Sequence, residues 1–243
     1  PRLDYSDGAC PSLLLEPTAT NLITYSEDFS NVAWTKTDSS VVSGFVSPDG
    51  TTNAFKLVES ATTATHRLLS NNFSVISGNT YTLSFFIKKG ETNFFQILFG
   101  STGFGNTHAN FDLNLGEVGD LSGANASSSI TSFANDWYKC TITADSDLTT
   151  SSALCIALPI SSKTAVRQEI YTGDGTSGVY IYGAQVEQQS SATSYIKTEG
   201  TIITRAADTA TGSGDATVIN STEGVLYFEG SAFSSTGSSG LIS

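Results

Sequence analysis

Between two turn-forming clusters, Ser77-Gly78-Asn79 and Lys89-Gly90-Glu91, the segment TYTLSFFIKK alternates without a break. Tyr81, Leu83, Phe85 and Ile87 fall on one side, and Thr82, Ser84, Phe86 and Lys88 on the other. A period of two belongs to a β-strand, because a helix would need apolar residues every three to four positions. The pattern predicts a strand with one apolar face and one mixed face. The next run, NFFQILFG, is apolar on both faces and reads as a central strand. Further short β-rich runs, NFDLNLG, WYKCTITAD, SSALCIALPI and VYIYGAQVE, follow at the spacing of a sandwich, and no stretch has the period of a long helix. WYKCTITAD and SSALCIALPI are expected to form a hairpin through Ser146-Asp147-Leu148-Thr149.

The composition agrees with this pattern. At 243 residues and 39% hydrophobic content the chain can bury one sizeable core. Only 14% of residues are charged, which suits short strands and polar turns better than charge-laced helices. A net charge of -12 repels phosphate backbones and anionic lipid, so neither nucleic acid nor membrane insertion is expected. A neutral glycan is indifferent to that field; an acidic one would need a local basic patch or a bridging cation, and the sequence plainly offers neither. No apolar run approaches the roughly 18 residues that span a bilayer, and no signal peptide is expected from these residues.

The organisation expected is an extended amino-terminal arm over 1–20, a sandwich over 21–211, and, over 212–243, a connector with the first strand of a second β domain at GVLYFEGSAF. SSATSYIKTEGT and the residues after it read as a polar connector. The chain thus reads as a piece of something longer. Leu13-Leu14-Leu15 in the arm needs a covering surface, either the chain's own sandwich or another subunit. Three cysteines, Cys10, Cys140 and Cys155, cannot all pair within one chain; Cys140 and Cys155 form either a cross-strand disulfide or two buried thiols.

No GxSxG, HExxH or P-loop pattern occurs, and His66 and His108 stand apart from any nucleophile motif, so the chain is expected not to be an enzyme. Acidic residues such as Glu27, Asp28, Asp112, Glu117, Asp120, Asp174 and Glu187 could still converge as a glycosidase pair does. Sugar recognition needs an aromatic platform for the apolar face of a pyranose and planar polar groups for its hydroxyls. The best local match is Phe104, Asn106 and His108 in GFGNTHAN, with Tyr171 and Asp174 in YTGDG as partners. The structural alternative is that Phe104 packs on its own loop and Asp174 sets a turn. Trp34 and Trp137 lie beside strand patterns and are expected in the core. His66-Arg67 either touches a glycan or a neighbouring subunit, or forms a solvated edge.

Several segments in order, PRLDYSDGACPSLLLEPTATNLITYSEDFSN with a Trp following, SGNTYTLSFFIKKG, WYKCTIT, and VYIYGAQVEQQSSATSYIKTEGT followed by TRAAD, resemble a module of tail, fibre and minor structural proteins of tailed phages and prophages. The resemblance covers roughly residues 1–210. GVLYFEGSAF is similar to the opening strand of a concanavalin A-like or laminin-G-like domain. The resemblance implies an all-β antiparallel jelly-roll sandwich like those of carbohydrate-binding modules, used on virions for receptor binding or adhesion, and hence a virion or extracellular location. Many such modules hold a structural calcium through an acidic residue after the first-strand Asp-Phe and an Asp in the final strand. Here Ser30 follows Asp28-Phe29 and Gly183-Ala184 stand in VYIYGAQVE, so no metal and no cofactor are expected. The partners implied are a cell-surface polysaccharide and other virion subunits in a homo-oligomer, trimers being common among phage fibres. The competing readings are a structural or decoration module without sugar affinity, and part of a polysaccharide depolymerase.

Overall fold

The computed structural model describes residues 2–4 and 12–209; Cys10 and the segment GVLYFEGSAF lie outside the described residues. Contacts group residues 20–204 into one unit and 1–19 with 205–243 into another. In the second of these units Arg2–Asp4 pairs antiparallel with Ser12–Leu14, and the Arg205 guanidinium meets Glu16 at 2.7 Å.

Residues 20–204 form the all-β antiparallel sandwich that the alternation predicts, with the jelly-roll form that the resemblance implies. One sheet orders its strands as Ser127–Phe133, Trp137–Asp145, Thr80–Lys88, Gly178–Glu187, Ala54–Glu59 and Ser39–Phe45. The facing sheet runs Glu117–Ser122, His108–Asp112, Phe94–Phe99, Cys155–Ile160, Arg67–Leu69 and Thr35–Thr37. The pairings within both are antiparallel. Tyr81, Leu83, Phe85 and Ile87 all point into the interior, as their period requires. Around Phe85 the core gathers Phe29 at 6.3 Å and Trp34 at 6.1 Å between ring centroids. Trp34 satisfies its indole N–H on the Tyr25 carbonyl at 2.7 Å, which lets a polar ring sit in an apolar interior.

Two sequence expectations need correction. WYKCTITAD and SSALCIALPI do not form a hairpin: the strand Trp137–Asp145 lies in the first sheet and Cys155–Ile160 in the second. Ser146, the intended turn residue, is instead tied to the entry of the neighbouring strand Thr80–Lys88, where its N–H donates to the Asn79 carbonyl at 2.9 Å and its carbonyl accepts from Gly78 N–H at 2.7 Å. The chain then crosses between sheets, and Thr150–Ala153 pairs with Phe73–Val75 on the way. Cys140 and Cys155 consequently enter the core from facing sheets as free, buried thiols.

Nor is the stretch after Glu187 a mere connector. Residues 188–199 lie across the outer face of the first sheet: Thr82 donates to the Gln189 carbonyl at 2.9 Å, Lys139 Nζ to the Thr193 carbonyl at 2.7 Å, and Ile196 N–H to Gln185 Oε1 at 2.7 Å. Its Thr193 and Thr198 are buried, although composition alone reads such polar letters as solvent-facing. On the second sheet, residues 161–170 cover a separate apolar cluster of Leu98, Ile156, Leu158, Ile160 and Ala165.

Candidate functional site

The residues singled out in sequence fall at two distant places. Phe99 pairs with Cys155, and Ile156 with Leu69, so the loop after Phe99 leaves the second sheet at that end. Tyr171 pairs with Ala64 and precedes the strand Gly178–Glu187, whose first residue holds Thr92 N–H at the opposite end. The two loops are therefore not brought together.

Within the first loop Phe104 is 3% exposed, stacked on Phe99 at 4.1 Å and edge-on to Tyr81 at 5.8 Å. Both ring surroundings are apolar core, so its face is not offered to a ligand in this conformation. His108 is buried with Nδ1 3.1 Å from the Asn106 carbonyl, and only the Asn106 side chain of the three is exposed. In the second loop Tyr171 donates to Glu59 Oε2 at 2.6 Å; burial, then Glu59, pushes this phenol up. The Asp174 carboxylate accepts from Ser177 Oγ at 2.6 Å, from Ser177 and Thr176 N–H at 2.7 Å each, and from Thr176 Oγ1 at 3.0 Å. The Ser177 hydroxyl and these backbone donors hold it well below the usual carboxylate range. Such saturation is that of a turn-setting aspartate.

A denser arrangement stands on the outer face of the first sheet. Registers carry a row across its strands: Thr131 opposite Lys139, Lys139 opposite Phe86, Phe86 opposite Tyr182, and Ala54 opposite Phe45. Phe86 sits edge-on to Phe133 at 5.0 Å and to Tyr195 at 6.1 Å, with Lys139 Nζ 5.9 Å above its ring. Tyr182 packs against Tyr195 at 5.5 Å and Trp137 at 6.5 Å, and Phe45 against Tyr180 at 4.8 Å. Phe86 and Tyr182 are buried beneath this layer, while Phe133 is 45% exposed and presents its ring to solvent. Trp137 is thus buried, as expected, yet under the outer layer instead of between the sheets.

Polar groups border the rings. Tyr182 Oη lies 2.9 Å from Glu27 Oε1 and 3.0 Å from Asp49 Oδ2, and Glu27 also takes Tyr195 Oη at 3.2 Å, Asn53 Nδ2 at 3.0 Å and Lys197 Nζ at 3.1 Å. Burial alone would raise Asp49, but donors from Ser47, the Thr51 backbone and hydroxyl, and Tyr182 bring it down to about 2. Burial raises the phenols of Tyr182 and Tyr195. Trp137 Nε1 and Asn53 Oδ1 are buried without a hydrogen-bond partner in the protein. Apolar ring surface flanked by carboxylates, amide and ammonium supplies both kinds of contact that a pyranose needs. Among the described residues no group of acidic, His or Cys side chains could hold a metal ion, and no helix is long and apolar enough to cross a membrane.

Sequence reasoning missed this face. One signal was available: Phe86 is the apolar exception among Thr82, Ser84 and Lys88 on the mixed side of its strand. The meeting of Glu27 with Asp49 had none, since it depends on how separate loops close over Tyr182.

No family model matches the chain, and no curated protein matches it. Among solved structures, the enzymatically active domain of tailspike protein 4 of bacteriophage CBA120 is similar, at 17% identity and a TM-score of 0.41, over 68% of this chain and 21% of that one. So are the CBM22-1–GH10 modules of Clostridium thermocellum endo-1,4-β-D-xylanase 10B complexed with xylohexaose, at 13% identity and a TM-score of 0.35, over 73% of this chain and 29% of that one. The chain thus spans less than a third of either. Both neighbours belong to enzymes, so the expectation that this chain is not an enzyme is corrected and is not retained. Of the acidic residues left open to converge in space, Glu27 does meet a second carboxylate, Asp49, at the Tyr182 phenol oxygen.

Proposed function

We propose that the chain is a glycan-recognising sandwich of a phage tail or fibre protein, and that a cell-surface polysaccharide lies on the outer face of its first sheet. The observation that carries this reading is the exposed Phe133 ring held edge-on by Phe86, which itself packs at 6.0 Å on Tyr182 of the Tyr182–Glu27–Asp49 group. A sugar ring stacks on Phe133, and its hydroxyls exchange bonds with the bordering polar groups. A glycan array on the whole chain tests it: a saturable ligand is expected, bound about tenfold more weakly by Phe133→Ala, the loss of one good ring contact. An empty array, or equal binding by the variant, removes the reading.

A second reading, a joining module of the virion, is favoured by the outermost strands of the same sheet. Ser39–Phe45 and Ser127–Phe133 carry no charge and no proline, the usual guards against edge pairing. On that reading copies of the chain associate through these edges, and light scattering reads the mass.

A further inference from the structure

The segment 161–170 is fixed to the second sheet by two fully buried amides. Gln96 accepts Gln168 N–H at 2.7 Å and donates to the Val166 carbonyl at 3.2 Å, while Asn110 donates to the Ala165 and Lys163 carbonyls at 2.7 and 3.2 Å. The amides are joined to each other at 2.7 Å. Gln168 is held there at φ 53, a left-handed conformation that a glutamine rarely adopts and that a rigid surrounding must enforce. Its side chain accepts from Arg67 Nη1 at 2.6 Å, and the preceding residue, Arg167, donates Nη2 to the Phe99 carbonyl at 3.1 Å.

Two half-buried guanidiniums thus converge on one short turn, Arg67 through the Gln168 side chain and Arg167 from the residue before it; among the described residues their hydrogen bonds go to neutral oxygens, and their buried Nε atoms have no partner. Among the described residues neither makes an ion pair, whereas Lys56, Lys163, Lys197 and Arg205 each meet a carboxylate. Burial, then the neighbouring Arg67 charge, lowers Arg167 from its usual value. In a chain of net charge -12, acids to neutralise this pair are plentiful, yet Glu169, two positions from Arg167, is turned onto Ser161 at 2.6 and 2.7 Å.

We propose that Arg67 and Arg167 form an oxyanion site that takes a carboxylate or sulfate group carried on a sugar chain. Planar guanidiniums fit such groups through paired N–H bonds, and the loop is already rigid, so little ordering is required on binding. The overall acidity does not forbid this, because beyond about 8 Å other charges are screened at physiological salt. The identification of the ligand as a glycan rests on the reading above; the site itself does not share residues with the Phe133 face.

Calorimetric titration of the whole chain with alginate oligosaccharide, dextran sulfate and a neutral ligand from the array tests it. Alginate or dextran sulfate should bind saturably, more weakly with added salt, and at least about tenfold more weakly to Arg67→Gln and Arg167→Gln, with neutral-ligand binding intact. Which charged polymer binds tells carboxylate from sulfate. Arg167→Lys should fail to restore affinity, since an ammonium lacks the fork. Lys163→Gln, at a cation already paired with Glu117, should change nothing. Thermal melts of each variant separate lost binding from lost fold. No binding of either charged polymer, or binding unchanged in both folded Arg→Gln variants, overturns the site and leaves the Phe133 reading standing; loss of neutral binding in Phe133→Ala alone bears only on the latter face.

Discussion

Tyr182 has one proton and two carboxylates within reach, Glu27 and Asp49, so only one of those contacts is a hydrogen bond at any instant. Asp49 keeps three other donors and stays ionised, which leaves the phenol free to serve Glu27. A carboxyl lowered from 3.8 to about 2 on folding contributes stability above its unfolded value and loses it as pH falls through about 2. The Asp49 carboxyl titration followed by NMR should therefore show a midpoint near 2, moving toward 3.8 in Ser47→Ala; a midpoint already at 3.8 in the parent would remove the donor set from the explanation. The thiols give an independent reading. Burial pushes Cys155 up to about 12 and raises Cys140 as well, so a Cys10→Ser chain should resist alkylation at pH 8 until unfolded. Rapid labelling of the native chain would place a thiol outside the core. At this scale sequence was least informative: Phe104 and Asp174 carry the composition of a sugar loop, yet stacking on Phe99 and four turn bonds claim them.

Elements were better announced. The strand Thr80–Lys88 was legible because alternation and flanking turns agree, and Phe94–Phe99 because a strand apolar on both faces needs cover on both, which the core and residues 161–170 provide. Leu83 is fully buried in the interior, so Leu83→Ala should cost about 2–5 kcal/mol in a urea melt, far more than truncation of the half-exposed Val42 on the sheet edge. Equal costs would mean that the alternating face is not the one enclosed. Which sheet a strand joins was not legible, because adjacency in sequence does not specify it; the Ser146 bonds to residues 78–79 do. Residues 188–199 were misread for a related reason. Gln185 and Glu187 are buried and need polar partners, and Thr193 and Ile196 supply them.

For the sandwich of residues 20–204 as a whole, the interior between the sheets is apolar and leaves chemistry to the outer faces and the ends. Both outer faces are partly covered by segments that follow a strand, and each cover sets its groups against aromatic or charged strand residues: Tyr195 by Phe86 and the Thr193 carbonyl on Lys139 on one, Gln168 on Arg67 next to Arg167 in sequence on the other. The glycine-rich loops have the suggestive composition, yet the structure gathers aromatic and ionic side chains on the outer faces of the sheets. Hydrogen exchange of the chain with and without a saturating array ligand tests this most directly. Slowed exchange is expected along Ser127–Phe133 and at residues 193–197 beside Tyr182. Protection confined to residues 101–108 and 171–177, with the outer face of the first sheet unchanged, would contradict it.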